Sequence, residues 1–243
     1  MNYTEKYKVS DVPEGQSGDW KIRRFVVNDK HDRVMQLSDM FHTGRYVPAG
    51  TYTGLYRKTN SWGGDQAYRV VMSDTPDEIW DMIDPIIHAE GKVLIVGLGL
   101  GVVLNAAAMH EDVTHIDIVE KSGDVLKLVQ EHYEGKFPGK LNFIQIDIHD
   151  FRPQKGTHWD YIWFDIWDDI CTDNLAEMAK LARRFGRLAT RKGYWGKDVA
   201  LAERRRSRND PFVRYMRARQ AEQKKLQVVV GGEKFSTPGE SDQ

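Results

Sequence analysis

The sequence predicts an α/β fold: a mostly parallel sheet with helices on both faces, preceded by a small β-rich N-terminal domain. Two patterns predict it. From Lys92 onward, apolar strand-like runs alternate with helix-like runs, the signature of a parallel sheet covered on both sides. Before Thr75, three strand-like runs occur with a single helical pattern between them.

The chain has 243 residues, enough for one large domain with an appendage and for a full hydrophobic core. Apolar residues make up 40% and charged residues 29%, which excludes collagen-like, low-complexity and wholly disordered chains. Cys171 is the one cysteine, so no intrachain disulfide or cysteine-based zinc site is expected, and a reducing cytoplasm fits best. The polar N-terminus lacks an apolar signal-peptide core. The run Val93 to Met109 is apolar apart from Asn105, but three alternating glycines interrupt it and it falls short of the usual span of about 20 residues. No membrane association is expected. Net charge is −1, yet from Arg183 to Lys225 fifteen basic residues face four acidic ones, leaving the remainder strongly acidic.

In chain order, strands are expected at Lys21–Val27, Thr51–Tyr56 and Ala67–Met72. Between the first two, Val34, Leu37 and Phe41 fall at helical spacing, with Gly44 as stop and Pro48-Ala49-Gly50 as turn. Thr75-Pro76-Asp77-Glu78 has the pattern of a helix start, Thr75 capping and Glu78 reaching back. Its apolar face is Ile79, Met82, Ile83, Ile86 and Ile87, and Pro85 should kink it. Strands follow at Val93–Val96, His115–Val119, Asn142–Ile146 and Tyr161–Phe164, with a weaker one near Arg187–Thr190. Helices are expected at Val102–His110, Asp124–Tyr133 and Leu175–Arg184, the last behind an Asn174…Glu177 capping box. Asp210–Lys225 reads as a basic helix, Gln227–Val230 as a last strand and Gly231–Gln243 as a tail. The organisation is therefore 1–75 (β-rich), 76–200 (ligand-binding α/β), 201–230 (basic helix and strand) and 231–243 (tail).

The strongest chemical signal is Gly97-Leu98-Gly99-Leu100-Gly101, where a buried strand ends and a helix begins. Alternating glycines let a ligand approach the backbone beside the helix's N–H groups. Glu120 ends the next strand, where an acid can accept both ribose hydroxyls; Asp147 ends the third and Asp165 the fourth. Each signal alone has a plainer use in turns or helix caps, but four in order point to a nucleoside site in a Rossmann-like sheet. Val102 stands where a nicotinamide fingerprint wants Gly or Ala, and no P-loop lysine follows.

The third glycine, with Glu120 and Asp147, resembles the class I S-adenosylmethionine-dependent methyltransferase superfamily. Within it, Tyr161-Ile162-Trp163-Phe164-Asp165-Ile166-Trp167-Asp168 resembles the Asp-x-x-Asp segment of the spermidine synthase (aminopropyltransferase) branch. The likeness covers about Lys92 to Arg191. It implies that Gly97, Leu98, Gly99 and Gly101 line the amino-acid and ribose portions of S-adenosylmethionine or its decarboxylated form. Glu120, with Lys121 beside it, would hold the ribose, Asp147 and Ile148 the adenine, and Asp165 would face cofactor and acceptor. Ile95 stands where many methyltransferases carry an acid, as in aminopropyltransferases. Leu100 stands where spermidine synthases carry Asp, which argues against aminopropyl transfer. The segment Gly44-Arg45-Tyr46-Val47-Pro48 does not match their N-terminal β-domain. The chain looks more like small spermidine-synthase-like proteins of phage and bacterial genomes.

Methyl transfer to a small-molecule acceptor is the function expected, with Asp165 and Asp168 as catalytic candidates able to take an amine's proton. Aminopropyl transfer to a polyamine is the alternative, and a non-catalytic cofactor-binding protein the third. Asp168 serves either catalysis or the turn, and Asp169 reads as structural. Arg204, Arg205, Arg206 and Arg208 form a candidate nucleic-acid contact, or simply a solvated face. Self-association stays open. The histidines have no metal-ligand spacing, and Cys171 reads as a small buried residue.

Overall fold

The structure is a computed structural model and describes residues 3–28, 47–60 and 66–211. The helix expected around Val34–Phe41, the Gln227–Val230 strand, the tail and most of the Asp210–Lys225 helix lie outside the described residues.

Two sheets occur among the described residues. The first is four-stranded and antiparallel, in the order β1 (Gly15–Ser17), β2 (Trp20–Val27), β3 (Gly50–Asn60), β4 (Gln66–Ser73). Ile22, Tyr52 and Leu55 turn inward, and buried Asp74 accepts N–H bonds from Val9 (3.1 Å) and Thr53 (2.6 Å), tying the N-terminal segment to the sheet. A three-residue β1 carries too little pattern to be seen in the sequence.

The link to the second sheet is helical. Pro76–Asp81 forms α1 and Ile83–His88 forms α2, broken at Met82. The break is the kink expected from Pro85, which lacks an N–H and crowds the preceding turn. Thr75 is the N-cap residue, but its side chain does not cap. Instead Glu78 accepts the Ser73 N–H and hydroxyl, both at 2.6 Å, so its carboxylate secures the end of β4 rather than closing a capping box.

The second sheet is five-stranded and wholly parallel, in the order β7-β6-β5-β8-β9. Its strands are β5 (Gly91–Val96), β6 (Val113–Glu120), β7 (Leu141–Gln145), β8 (Trp159–Phe164) and β9 (Ala189–Tyr194). The helices are α3 (Val102–Ala108), α4 (Gly123–Lys136), α5 (Asn174–Arg184) and α6 (Lys197–Asn209). Alternation along the strands divides the core. Val93, Ile95, Ile116, Ile118 and Trp163 pack with residues of α3 and α4, while Leu94, Val96, Ile162 and Phe164 pack with Met178, Leu181 and Phe185 on the other face. β9 lies later than the Arg187–Thr190 run. The bond from Leu188 N–H to the Phe185 carbonyl holds Arg187 and Leu188 in the turn after α5, while Ala189 and Thr190 open β9. The Asn174…Glu177 capping box does not form either: Asn174 Nδ2 donates to the Asp169 carbonyl, and Glu177 is engaged elsewhere.

The sheets are joined by more than the linker. Ser17 Oγ donates to Asp124 Oδ1 on α4 (2.7 Å), Lys136 pairs with Asp11 (2.5 Å), and Leu100 N–H points at Met72 Sδ (3.2 Å). Among the described residues, no helix is long and apolar enough to cross a membrane. The run from Val93 to Met109 is β5, the glycine turn and α3.

Candidate functional site

The strand order reverses at β5, between β6 and β8, and ligands of open α/β sheets bind at the strand ends beside such a point. A cavity of about 350 Å³ lies there, within the range of small-molecule sites. Gly97, Leu98, Gly99, Glu120, Lys121, Asp147, Ile148, Asp165 and Asp168 all line it.

Gly101 is not among the residues lining the cavity. Its φ of +78° suits glycine, and a Cβ would overlap the Tyr133 ring, whose hydroxyl donates to the Leu100 carbonyl at 2.7 Å. The other two glycines also serve packing: a Cβ on Gly97 would overlap the Asp165 carbonyl oxygen, and one on Gly99 would meet Met72 Sδ. The turn's amides are largely used internally. Gly97 N–H donates to the Val119 carbonyl (2.9 Å), Leu98 N–H to Glu120 Oε2 (2.9 Å) and Gly101 N–H to the Leu98 carbonyl (2.8 Å).

The strand-end acids are held in distinct ways. Buried Glu120 accepts Leu98 N–H on one oxygen and Ser122 N–H (2.7 Å) on the other, so each oxygen keeps a lone pair. Asp147 Oδ1 accepts His149 N–H (2.8 Å). Asp165 is half-buried, and its carboxyl is pushed up to about 7. Burial is the main cause, followed by the Glu78 charge; the Trp163 indole opposes it, and Glu120 and Asp81 add to it. The Trp163 Nε1 is itself buried without a partner in hydrogen-bond geometry. Asp168 is different. Its Oδ2 takes both Arg57 Nη2 and Arg69 Nη2 from the antiparallel sheet, so its charge is already matched. Asp169 is exposed, 3.8 Å from Arg69.

Several lining residues escape sequence reasoning because they come from other elements. Trp20, Leu55, Arg57 and Met72 of the antiparallel sheet and Glu78 of α1 form one wall. Glu177 of α5 joins Trp167 Nε1 (2.6 Å) and His149 Nε2 (2.8 Å), fixing two rings of the opposite wall. A partial signal for the arginines does exist, since Arg69 falls on one strand-like run and Arg57 directly follows another. Their pairing across those strands needs the register.

The lining is acidic: Glu78, Glu120, Asp147, Asp165, Asp168 and Glu177 against Arg57 and Lys121. No group of three or more potential metal-ligating side chains occurs among the described residues. Cys171 is half-buried, its thiol 3.3 Å from Asn174 Oδ1. Arg204, Arg205, Arg206 and Arg208 lie exposed on α6, which begins two residues after cavity-lining Trp195.

No protein-family model matches the chain, and no curated protein matches it. Similar solved structures include the spermidine synthase of Thermotoga maritima, at 16% identity over 62% of this chain and 45% of that one, with a TM-score of 0.35. TYW2 of P. horikoshii, in complex with MeSAdo, is 14% identical over 51% of this chain and 47% of its own, with a TM-score of 0.34. A dimethyladenosine transferase from Plasmodium falciparum is 17% identical over 42% and 36%, with a TM-score of 0.32. The chain spans less than half the length of each of the three.

Proposed function

We propose that the cavity binds S-adenosylmethionine or a close relative, and that the chain transfers a methyl group to a small-molecule acceptor. The observation that carries this reading is the convergence of Glu120, Asp147 and Asp165 on one cavity beside the Gly97–Gly99 turn. When bound, the sulfonium supplies the electrophilic carbon. Glu120 accepts the ribose hydroxyls on the lone pairs left by its two N–H partners. Asp147 offers its second oxygen to the adenine amino group, and Ile148 gives the base an apolar contact. The surplus of carboxylates favours a cationic ligand over a neutral one. Asp165, near 7, has the proton affinity of a general base working at neutral pH, and it takes the proton from the attacking atom of the acceptor. Walls drawn from both sheets hold the two reactants in line.

Methyl transfer is preferred to aminopropyl transfer on one observation. The polyamine reading needs Asp168 to receive an ammonium group, and Arg57 and Arg69 already occupy it.

Calorimetry with S-adenosylhomocysteine tests the reading. One molecule should bind per chain, and Glu120→Ala should weaken it by about 1–3 kcal/mol, the cost of an unpaired buried polar group. A wild-type chain that takes up none of it ends the proposal. Asp165→Asn should bind S-adenosylhomocysteine and lose transfer; retained turnover would remove Asp165 as the base. Binding with no turnover on any acceptor would leave a cofactor-binding protein.

A further inference from the structure

Arg57 and Arg69 stand directly opposite each other across β3 and β4. Like charges in that position repel, so the pair needs an anion. Both guanidinium groups send Nη2 to the same atom, Asp168 Oδ2, on the loop that also carries Asp165. Arg57 lines the cavity beside Trp20, with the indole 5.4 Å from its guanidinium carbon, a contact that holds the group in place. The three side chains are 31%, 39% and 37% exposed. Water reaches this ion pair, and pairs so exposed are weakly held and exchange readily.

We propose that the Arg57–Arg69 pair is the anion subsite for the acceptor, and that the acceptor carries a carboxylate which replaces Asp168 between the two guanidinium groups. The proposal rests on the reading of the cavity as an alkyl-transfer site and names the acceptor class for it. The seat already holds a carboxylate, and two planar guanidinium forks suit that group better than a point charge does. Exchange leaves the arginines neutralised and turns Asp168 out to solvent. An acceptor anchored there and facing Asp165 is fixed at two points, which is what alignment for in-line transfer requires. The polarity is opposite to that of a polyamine site.

The test is calorimetry on the full chain with succinate, inorganic phosphate and 1,4-diaminobutane, each with and without S-adenosylhomocysteine. Succinate should bind once per chain, together with S-adenosylhomocysteine. Asp168→Asn, which removes the internal competitor, should bind succinate on the order of tenfold more tightly. Arg57→Gln/Arg69→Gln should lose succinate and keep S-adenosylhomocysteine, which also shows that this variant is folded. Diamine affinity should be the same in wild type and Asp168→Asn. The proposal is overturned if Asp168→Asn binds succinate no more tightly than wild type, or if that variant loses the diamine. Phosphate binding more tightly than succinate would replace the carboxylate with a phosphorylated acceptor. Mutual exclusion between succinate and S-adenosylhomocysteine would assign the arginines to the cofactor. Failure of S-adenosylhomocysteine to bind at all, with succinate still captured, would fell the transferase reading separately.

Discussion

Replacing Asp165 with asparagine should change how the stability of the chain depends on pH. In the folded protein this carboxyl is pushed from an ordinary 3.8 to about 7, mainly by burial and then by the Glu78 charge. The native state therefore keeps a proton that the unfolded chain gives up above about pH 4. Raising the pH from 4 to 7 favours the unfolded chain progressively, and the loss is complete above 7. A shift of about three units, at ~1.4 kcal/mol each, sets a ceiling of ~4 kcal/mol, and water in the cleft lowers it to about 2–4 kcal/mol. Asparagine has nearly the same shape and cannot ionise. The variant should match the wild type near pH 4 and below, and exceed it by that margin at pH 8. Urea unfolding at several pH values, with unchanged m-values, measures the difference. Two stability curves that run parallel from pH 4 to 8 would show that Asp165 ionises normally, and the case for it as a neutral-pH base would fail with them.

Two other substitutions probe the frame around the site. Gly101→Ala sets a methyl into the Tyr133 ring at a φ of +78° and should cost about 2–4 kcal/mol; an unchanged melting temperature would mean that the ring gives way freely. Tyr161→Phe removes the 2.5 Å bond to Asp84 Oδ2 while leaving Asp84 its Arg191 and His88 contacts, both at 3.0 Å. It should lower the free energy of unfolding by about 1–2 kcal/mol in chemical denaturation, and no loss would show that water replaces the bond without penalty.

The parallel sheet was legible because β5 and β8 each hold a short apolar run bounded by polar or glycine residues, and β6 carries Ile116, Ile118 and Val119 among polar residues. A glycine turn after the first strand then indicated where the crevice would be. Glu120, Asp147 and Asp165 could be located because a strand's end is a local property. Residues whose meaning depends on distant partners were not legible. Glu78 and Glu177 sit at capping-box spacing, yet Ser73 in one case and Trp167 with His149 in the other present better donors. Met72 fills the space above Gly99 only because the antiparallel sheet docks there. β9 ends the sheet among the described residues, and its Arg191 and Lys192 disguise it as a polar segment. At Gly101 the sequence cannot tell whether a missing side chain makes room for a guest or for Tyr133.

The cavity's floor belongs to one sheet and a wall to the other, so any occupant acts as mortar between two halves of the molecule. Part of its affinity must then appear as cohesion, because a guest that needs both faces resists their parting. The Ser17–Asp124 and Asp11–Lys136 contacts, which line no part of the cavity, tie the N-terminal part of the chain to α4. Loosening either would take cohesion from a guest that needs both faces while altering no group that lines the cavity.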